Sequence, residues 1–418
     1  MSSNAMMLAP SHDVNGVRDE RSPSYAGWRV VFALFWFAVF AWGLGFYGHG
    51  VYLAELQRAR GWPTSLISTA TTLYYLSSIG LVLFVADIIK RFGPRQVLIG
   101  GAVCFSAAVA IIAIIDTPWQ LFAAYLVMAM GWMLMSLGSI TTIAGLWFFE
   151  KRGLAISLAL TGASFGGIIL TPLMVELIAR FGFSEAMLIT AGLTVVVLVA
   201  LALLCVGEAP EAKEFAPAAA TSQAANEQPW TRARALRSLQ FWTMTLPFAF
   251  GIGAQVGFLV HQIAFLEPKI GTQHASLAVA TTTAFAVLGR LVLGAFIDRL
   301  NQRFISAISF VSQALALLVL IRTDNEVAVF AACALFGFSV GNLITLPSLI
   351  ISREFSAASF GLLVGLSVAI NQVIYAFGPG VVGWLRDFSG SYSASFALCM
   401  AMEIAAAVII LIPFKKTA

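Results

Sequence analysis

Runs of about 20 apolar residues, long enough to cross a bilayer core of roughly 30 Å as a helix, recur about twelve times along the 418-residue chain. Hydrocarbon offers a backbone no partner but itself, so each run is compelled to be helical. Charged residues make up only 11% of the chain, against about 25% in an ordinary soluble domain, which leaves no room for a soluble catalytic unit. The spacing predicts spans over Trp28–Leu53, Leu66–Ile89, Val97–Ile115, Trp119–Phe149, Leu154–Arg180 and Ala186–Val206. A second set follows over Phe241–Leu266, Leu277–Ile297, Ile305–Ile321, Val327–Ile351, Phe360–Leu385 and Ser393–Phe414.

Between the two sets lies one long polar interruption, rich in Ala, Pro and Glu, of the composition that makes a flexible linker. The expected organisation is a tail over 1–27, a six-helix bundle over 28–206, a linker over 207–238, a second six-helix bundle over 239–414 and a tail over 415–418. Asp13, Arg18, Asp19, Glu20 and Arg21 crowd the first tail, which has no apolar core and is not a cleaved signal. Arg232, Arg234 and Arg237 beside Leu236 and Leu239 suit a short helix on the inner leaflet, although a basic stop before the next span explains them equally.

Of 24 Lys and Arg, only Arg58, Arg60, Arg180, Lys269, Arg322 and Arg386 fall on the side away from the termini, and Arg290 falls inside a span. The positive-inside rule then places both termini in the cytoplasm of a cell whose inner membrane holds the chain. The net charge of +4 is explained by this bias and calls for no nucleic acid. Cys104, Cys205, Cys333 and Cys399 lack metal-site spacing and read as small apolar fillers. No phosphate-binding loop and no nucleophile-base arrangement stands out. The expectation is a transporter working as a monomer, not an enzyme, with no cofactor and no metal.

Six spans plus six suggest two bundles related by an axis along the membrane normal. A local duplication supports this: Gly294 to Arg303 reads GAFIDRLNQR, and Asp87 to Arg95 reads DIIKRFGPR. These loops resemble the signature of the major facilitator superfamily, in which a carboxylate at a helix end and a following basic cluster pair in one state and part in another. The resemblance marks Asp298, Arg299 and Arg303 as gating residues, with Asn301 where a glycine is expected. Asp87, Arg91 and Arg95 form a more degraded copy, with Leu83 in place of glycine and three extra residues after Asp87. Against this stands the tendency of any cytoplasmic loop to collect Arg and Lys.

Three stretches narrow the resemblance: Gly45–Ser68 (GFYGHGVYLAELQRARGWPTSLIS), Trp147–Gly167 (WFFEKRGLAISLALTGASFGG) and Gly289–Arg299 (GRLVLGAFIDR). They are similar to the monocarboxylate transporter and oxalate/formate exchanger branch, which implies that Arg290 occupies the position used for the substrate carboxylate. Mammalian-type members carry an aspartate where this chain has Ala286. The oxalate exchanger places a lysine in the eleventh span, where this chain has Asn371, Gln372 and Tyr375. One fixed cation favours a lactate-like monocarboxylate over a dianion.

Arg290 is the residue that most needs explaining, because an unpaired guanidinium at mid-bilayer costs roughly 2.5–3.5 kcal/mol on translocon scales. Thr283, Ala286 and Gly294 share its helix face, and their small size allows that face to be open. The alternative is a structural pair with another helix, for which Glu403 in the last span is the candidate. His261 and His49 are the candidate proton carriers and further substrate contacts, with His261 preferred. Asn371, Tyr375 and Tyr74 complete the expected substrate site, and Tyr75, Gln255, Gln262 and Asn342 are weaker entrants. Polar bonding between helices accounts for many of these as well. The expected function is proton-coupled symport of a small organic anion by alternating access. The rivals are an organic-anion exchanger, a proton-driven exporter of hydrophobic compounds and a non-transporting sensor.

Overall fold

The computed structural model describes residues 20, 22, 24–82, 84–148, 150–207, 230–296, 300–355 and 359–412. Eleven helices are long and apolar enough to cross a membrane, and twelve if one bent pair is a single span. The described residues contain no strand. The first bundle holds α1 (Ala26–Arg60), α2 (Thr64–Leu81 continued by Val85–Phe92), α3 (Pro94–Ala113), α4 (Pro118–Trp147), α5 (Arg152–Phe181) and α6 (Phe183–Cys205). The second holds α7 (Leu239–Ile270), α8 (Thr272–Phe296), α9 (Gln302–Arg322), α10 (Glu326–Glu354), α11 (Phe360–Ala376 continued by Gly378–Ser389) and α12 (Tyr392–Ile410). The second span, expected near Leu66–Ile89, is carried by two helices, Thr64–Leu81 and Val85–Phe92, inclined at 60° to each other.

Local sequence explains where the rods stop. Gly61 and Gly271 take φ of +64° and +79°, a left-handed conformation that only glycine adopts freely, and they end α1 and α7 at matching points of the two halves. Asn301 accepts from the backbone N–H groups of Arg303 and Phe304, so this residue caps the start of α9. Asn325 caps α10 in the same way, through the N–H of Ala328 at 3.1 Å.

The start of α1 and the end of α12 lie at one face of the molecule, here called the terminal face. There the duplication appears as a pair of clasps. Arg95, at the start of α3, donates through Nε to the Val206 carbonyl at the end of α6, at 2.6 Å. Arg303, at the start of α9, donates to the Ile410 carbonyl at the end of α12, at 3.0 Å. A cation at the carbonyl end of a helix satisfies its last acceptors and its dipole. Arg303 also grips Glu354 with two parallel bonds of 2.6 and 2.8 Å.

Burial separates a centre from a rim. The most apolar window of α7 is 83% buried, whereas that of α6 is 28% buried and turns residues such as Val196 and Leu204 outward. Exposed apolar rods of this kind suit lipid. The two bundles meet where α1 crosses α7, α2 meets α11 and α5 meets α8. At the face opposite the termini this seam is bonded. Arg58 pairs with Glu267 and reaches Thr272 Oγ1 at 3.3 Å. The Ser65 N–H donates to Asp387 at 2.6 Å, and the Gly380 N–H donates to Thr72 at 3.1 Å.

Candidate functional site

Arg290 stands where α8 crosses α10 at a distance only glycine allows. A Cβ on Gly289 would strike the Phe338 carbonyl, and one on Gly337 the Thr282 carbonyl. At Gly341 a Cβ would sit 3.3 Å from the Cβ of Arg290, so the arginine stem is braced by the backbone of α10. A helical side chain leans toward its own N-terminus. The guanidinium accordingly lies within electrostatic reach of Tyr47, on α1 of the other bundle. Its Nε is buried without a hydrogen-bond partner, and no carboxylate among the described residues pairs with it. The pairing with Glu403 is not made. That residue lies between α7, α9 and α12, where a Cβ at Gly251 would sit 3.3 Å from its Oε2.

The open face expected around Arg290 is corrected: Thr283 and Ala286 are 1% and 2% exposed. Thr283 points its methyl at Gly167 of α5, and Ala286 is covered by Gly341 of α10. The side of the guanidinium facing α1 is what remains. There α1 carries a π-helical turn over Gly43–Tyr47, and α5 carries another over Gly166–Leu170. The two turns touch through Gly43 and Gly166. Such turns occur mostly as single insertions and often at functional sites. The small residues Gly162, Gly166 and Gly167 of α5 meet Phe35, Gly43 and Tyr47 respectively, so this run serves close helix packing.

Beyond Tyr47, α1 presents His49, which is fully buried in a cage of phenols. Its ring centroid lies 4.7 Å from Tyr74, 4.9 Å from Tyr125, 5.8 Å from Tyr75 and 5.9 Å from Tyr52. Thr71 lies near the Tyr125 hydroxyl and the Gly45 carbonyl near the imidazole. Neither ring nitrogen and none of the four hydroxyls completes a hydrogen bond. From the second bundle Tyr375 closes on Tyr75, with centroids 5.6 Å apart. Asn371 lies one turn earlier on α11, and its Oδ1 is also unpartnered. The structure thus brings His49, Tyr74, Tyr75 and Tyr375 together at the seam, with Arg290 approached through Tyr47.

His261 is not among them. Its Nε2 lies 3.0 Å from the Pro379 carbonyl and its Nδ1 3.1 Å from the Tyr392 hydroxyl, both within the second bundle. A carbonyl can only accept, so Nε2 donates to Pro379, while the Tyr392 hydroxyl can serve Nδ1 as donor or as acceptor, and both ring nitrogens have partners. Gln262 bonds Thr282 and Cys333, Gln255 bonds Gln313, and Asn342 bonds the Phe338 carbonyl of its own helix. These are internal ties of the second bundle.

Of the gating residues, Asp298 and Arg299 lie outside the described residues. Arg303 and Arg95 serve the clasps within their own bundles. Asp87 and Arg91 are exposed, with Arg91 over the Phe92 ring at 5.4 Å. Tyr47, Tyr52 and Tyr125 were not anticipated. Tyr47 had a signal, since it stands two residues before His49 in a glycine-rich segment, but the π turn that aims it leaves no periodic trace.

Two bundles of helices of membrane-spanning length, with the Arg290 guanidinium buried at their seam, are the architecture of a membrane transporter. The sequence profile described as Major Facilitator Superfamily matches residues 35–321 and 263–417, and the chain belongs to that superfamily. It is similar to the uncharacterized MFS-type transporter YcxA of Bacillus subtilis (strain 168), at 24% identity over 92% of this chain and 95% of that one. It is also similar to monocarboxylate transporter 12 of Rattus norvegicus, at 25% identity over 62% of this chain and 58% of the relative. Among solved structures, the nucleoside transporter NupG superposes with a TM-score of 0.73 at 16% identity, over 93% of this chain and 100% of that one, a likeness of fold alone.

Proposed function

We propose that the protein carries a small organic monocarboxylate, of the lactate type, across the inner membrane together with a proton, by alternating access. The observation that carries this reading is the Arg290 guanidinium, set at the bundle seam with Nε–H buried and no carboxylate among the described residues to meet it. Nε–H and a neighbouring Nη–H form a planar fork that matches one carboxylate with two parallel bonds. The phenols of Tyr47, Tyr75 and Tyr375, with the amide of Asn371, stand along the same seam to orient a hydroxyl or keto oxygen. Relatives named as monocarboxylate transporters support the substrate class. The charge bias of the loops makes the terminal face cytoplasmic. The seam bonded at the other face is then the outer one, tied across the bundles by Arg58, Asp387 and Thr72.

Exchange of one organic anion for another is the second reading, favoured by His261, whose two ring nitrogens already have partners inside the second bundle. Uptake of labelled L-lactate, pyruvate and related acids into proteoliposomes separates the two, since symport follows an imposed pH gradient and exchange follows only internal anion. Arg290→Ala is expected to abolish saturable uptake in either case. Arg290→Lys keeps the charge and loses the fork, and is expected to weaken half-saturation by about 10–100-fold, the worth of one charge-assisted bond. Saturable carboxylate uptake by Arg290→Ala at the wild-type rate overturns the proposal.

A further inference from the structure

The coupling proton needs a site, and neither histidine is the best placed. Glu403 is fully buried at membrane depth in α12, and neither of its carboxyl oxygens has a hydrogen-bond partner. Its surroundings are apolar or short of donors. On α7 it faces Gly251, with Gln255 one turn on; on α9 the Phe310 ring covers the same glycine, with Gln313 one turn on. Gln313 gives an amide N–H to Gln255 at 3.1 Å, and its own Oε1 is left without a donor. On its own helix the titratable neighbour is Cys399. The charged groups of the packed helices sit at their ends: Arg303 and Arg322 on α9, Arg386 and Asp387 on α11, and Glu267 and Lys269 on α7. Arg303 is spent on Glu354 and the Ile410 carbonyl.

An ionised carboxylate here would be a second set of acceptors in a layer that already lacks a donor. A proton on Glu403 supplies that donor and removes the charge. We propose that Glu403 carries the proton that accompanies the substrate, an inference that rests on the proton-coupled reading above. Arg290 with a bound substrate carboxylate is neutral as a pair, so a neutral Glu403 lets the loaded carrier move without a second buried charge, and the carboxyl gives up its proton where that movement admits water.

Glu403→Gln mimics the protonated acid in shape and charge, so the variant is expected to fold and bind. Wild-type and variant proteoliposomes are given labelled L-lactate under a pH difference of about one unit, which can drive about tenfold accumulation at one proton per substrate. Counterflow is measured in parallel without a gradient. The expected result is that Glu403→Gln keeps counterflow and loses gradient-driven accumulation. A variant that accumulates like the wild type overturns the role of Glu403 alone. A wild type that ignores the gradient overturns proton coupling itself. Should the variant fail to fold, proton uptake on adding L-lactate to weakly buffered wild-type and Glu403→Asp protein decides: no uptake by the wild type, or uptake unaltered in pH dependence by Glu403→Asp, sinks the assignment.

Discussion

Replacing Asp387 by alanine tests how the bundles are held at the face away from the termini. The first N–H groups of a helix have no partner within it. In α2 one of these, from Ser65, is satisfied at 2.6 Å by the carboxylate of Asp387 on α11 of the other bundle. Asp387 is in turn held by Arg386 at 2.9 Å and is 22% exposed. A side-chain cap is worth about 0.5–2 kcal/mol, and a hydrogen bond to a charged group about 1.5–3. Partial exposure argues for the lower part of both ranges, so loss of the carboxylate should cost the bonded arrangement about 1–2 kcal/mol. That is a shift of about 5–30-fold in favour of the parted one. Spin labels at Trp119→Cys and Val327→Cys, both exposed at the starts of α4 and α10, report the separation once the four native cysteines are replaced. The ratio of long to short distances should rise by that factor in Asp387→Ala and by less in Asp387→Asn, which keeps an acceptor. An unchanged distance distribution in folded Asp387→Ala would refute the idea that this cross-bundle cap holds the seam.

The crossing that braces Arg290 predicts that Gly337→Leu lowers the unfolding temperature in detergent, because its side chain meets the Thr282 backbone; overpacking of this kind costs about 1–3 kcal/mol. Arg303→Ala should destabilise the second bundle by about 1.5–3 kcal/mol, since it strips Glu354 of both bonds and Ile410 of its donor. Thermal unfolding checks it, and a transition unmoved by the substitution would mean that the clasp contributes nothing measurable.

Much of the architecture was legible because hydrophobic length and helix-ending glycines are local signals. Gly61 and Gly271 mark the ends of α1 and α7 in the residues themselves. Arg290 stood out for the same reason, as a permanent charge in an apolar run. What could not be read is set by neighbours from other helices. Glu403 looked like a partner for Arg290 on charge alone, but Glu403 packs against Gly251 of α7 while the stem of Arg290 packs against Gly341 of α10, and the pair does not form. His261 was legible as an imidazole in a span, but its partners, Pro379 at the break in α11 and Tyr392, come from other helices. Asn301 departed from the loop pattern and proved to be the cap of α9. The four phenols around His49 come from α1, α2 and α4, and only the packing of those helices assembles them.

The paired π turns of α1 and α5 have one more implication. Each stores a single surplus residue in an otherwise stiff rod, and expelling it would rotate everything beyond by about 100°, one residue's share of an α-turn. In α1 Tyr47 closes the turn and His49 follows it. A slip at this one joint would swing both rings while the part of the helix before it kept its grip on its neighbours, giving the transporter a small local clutch.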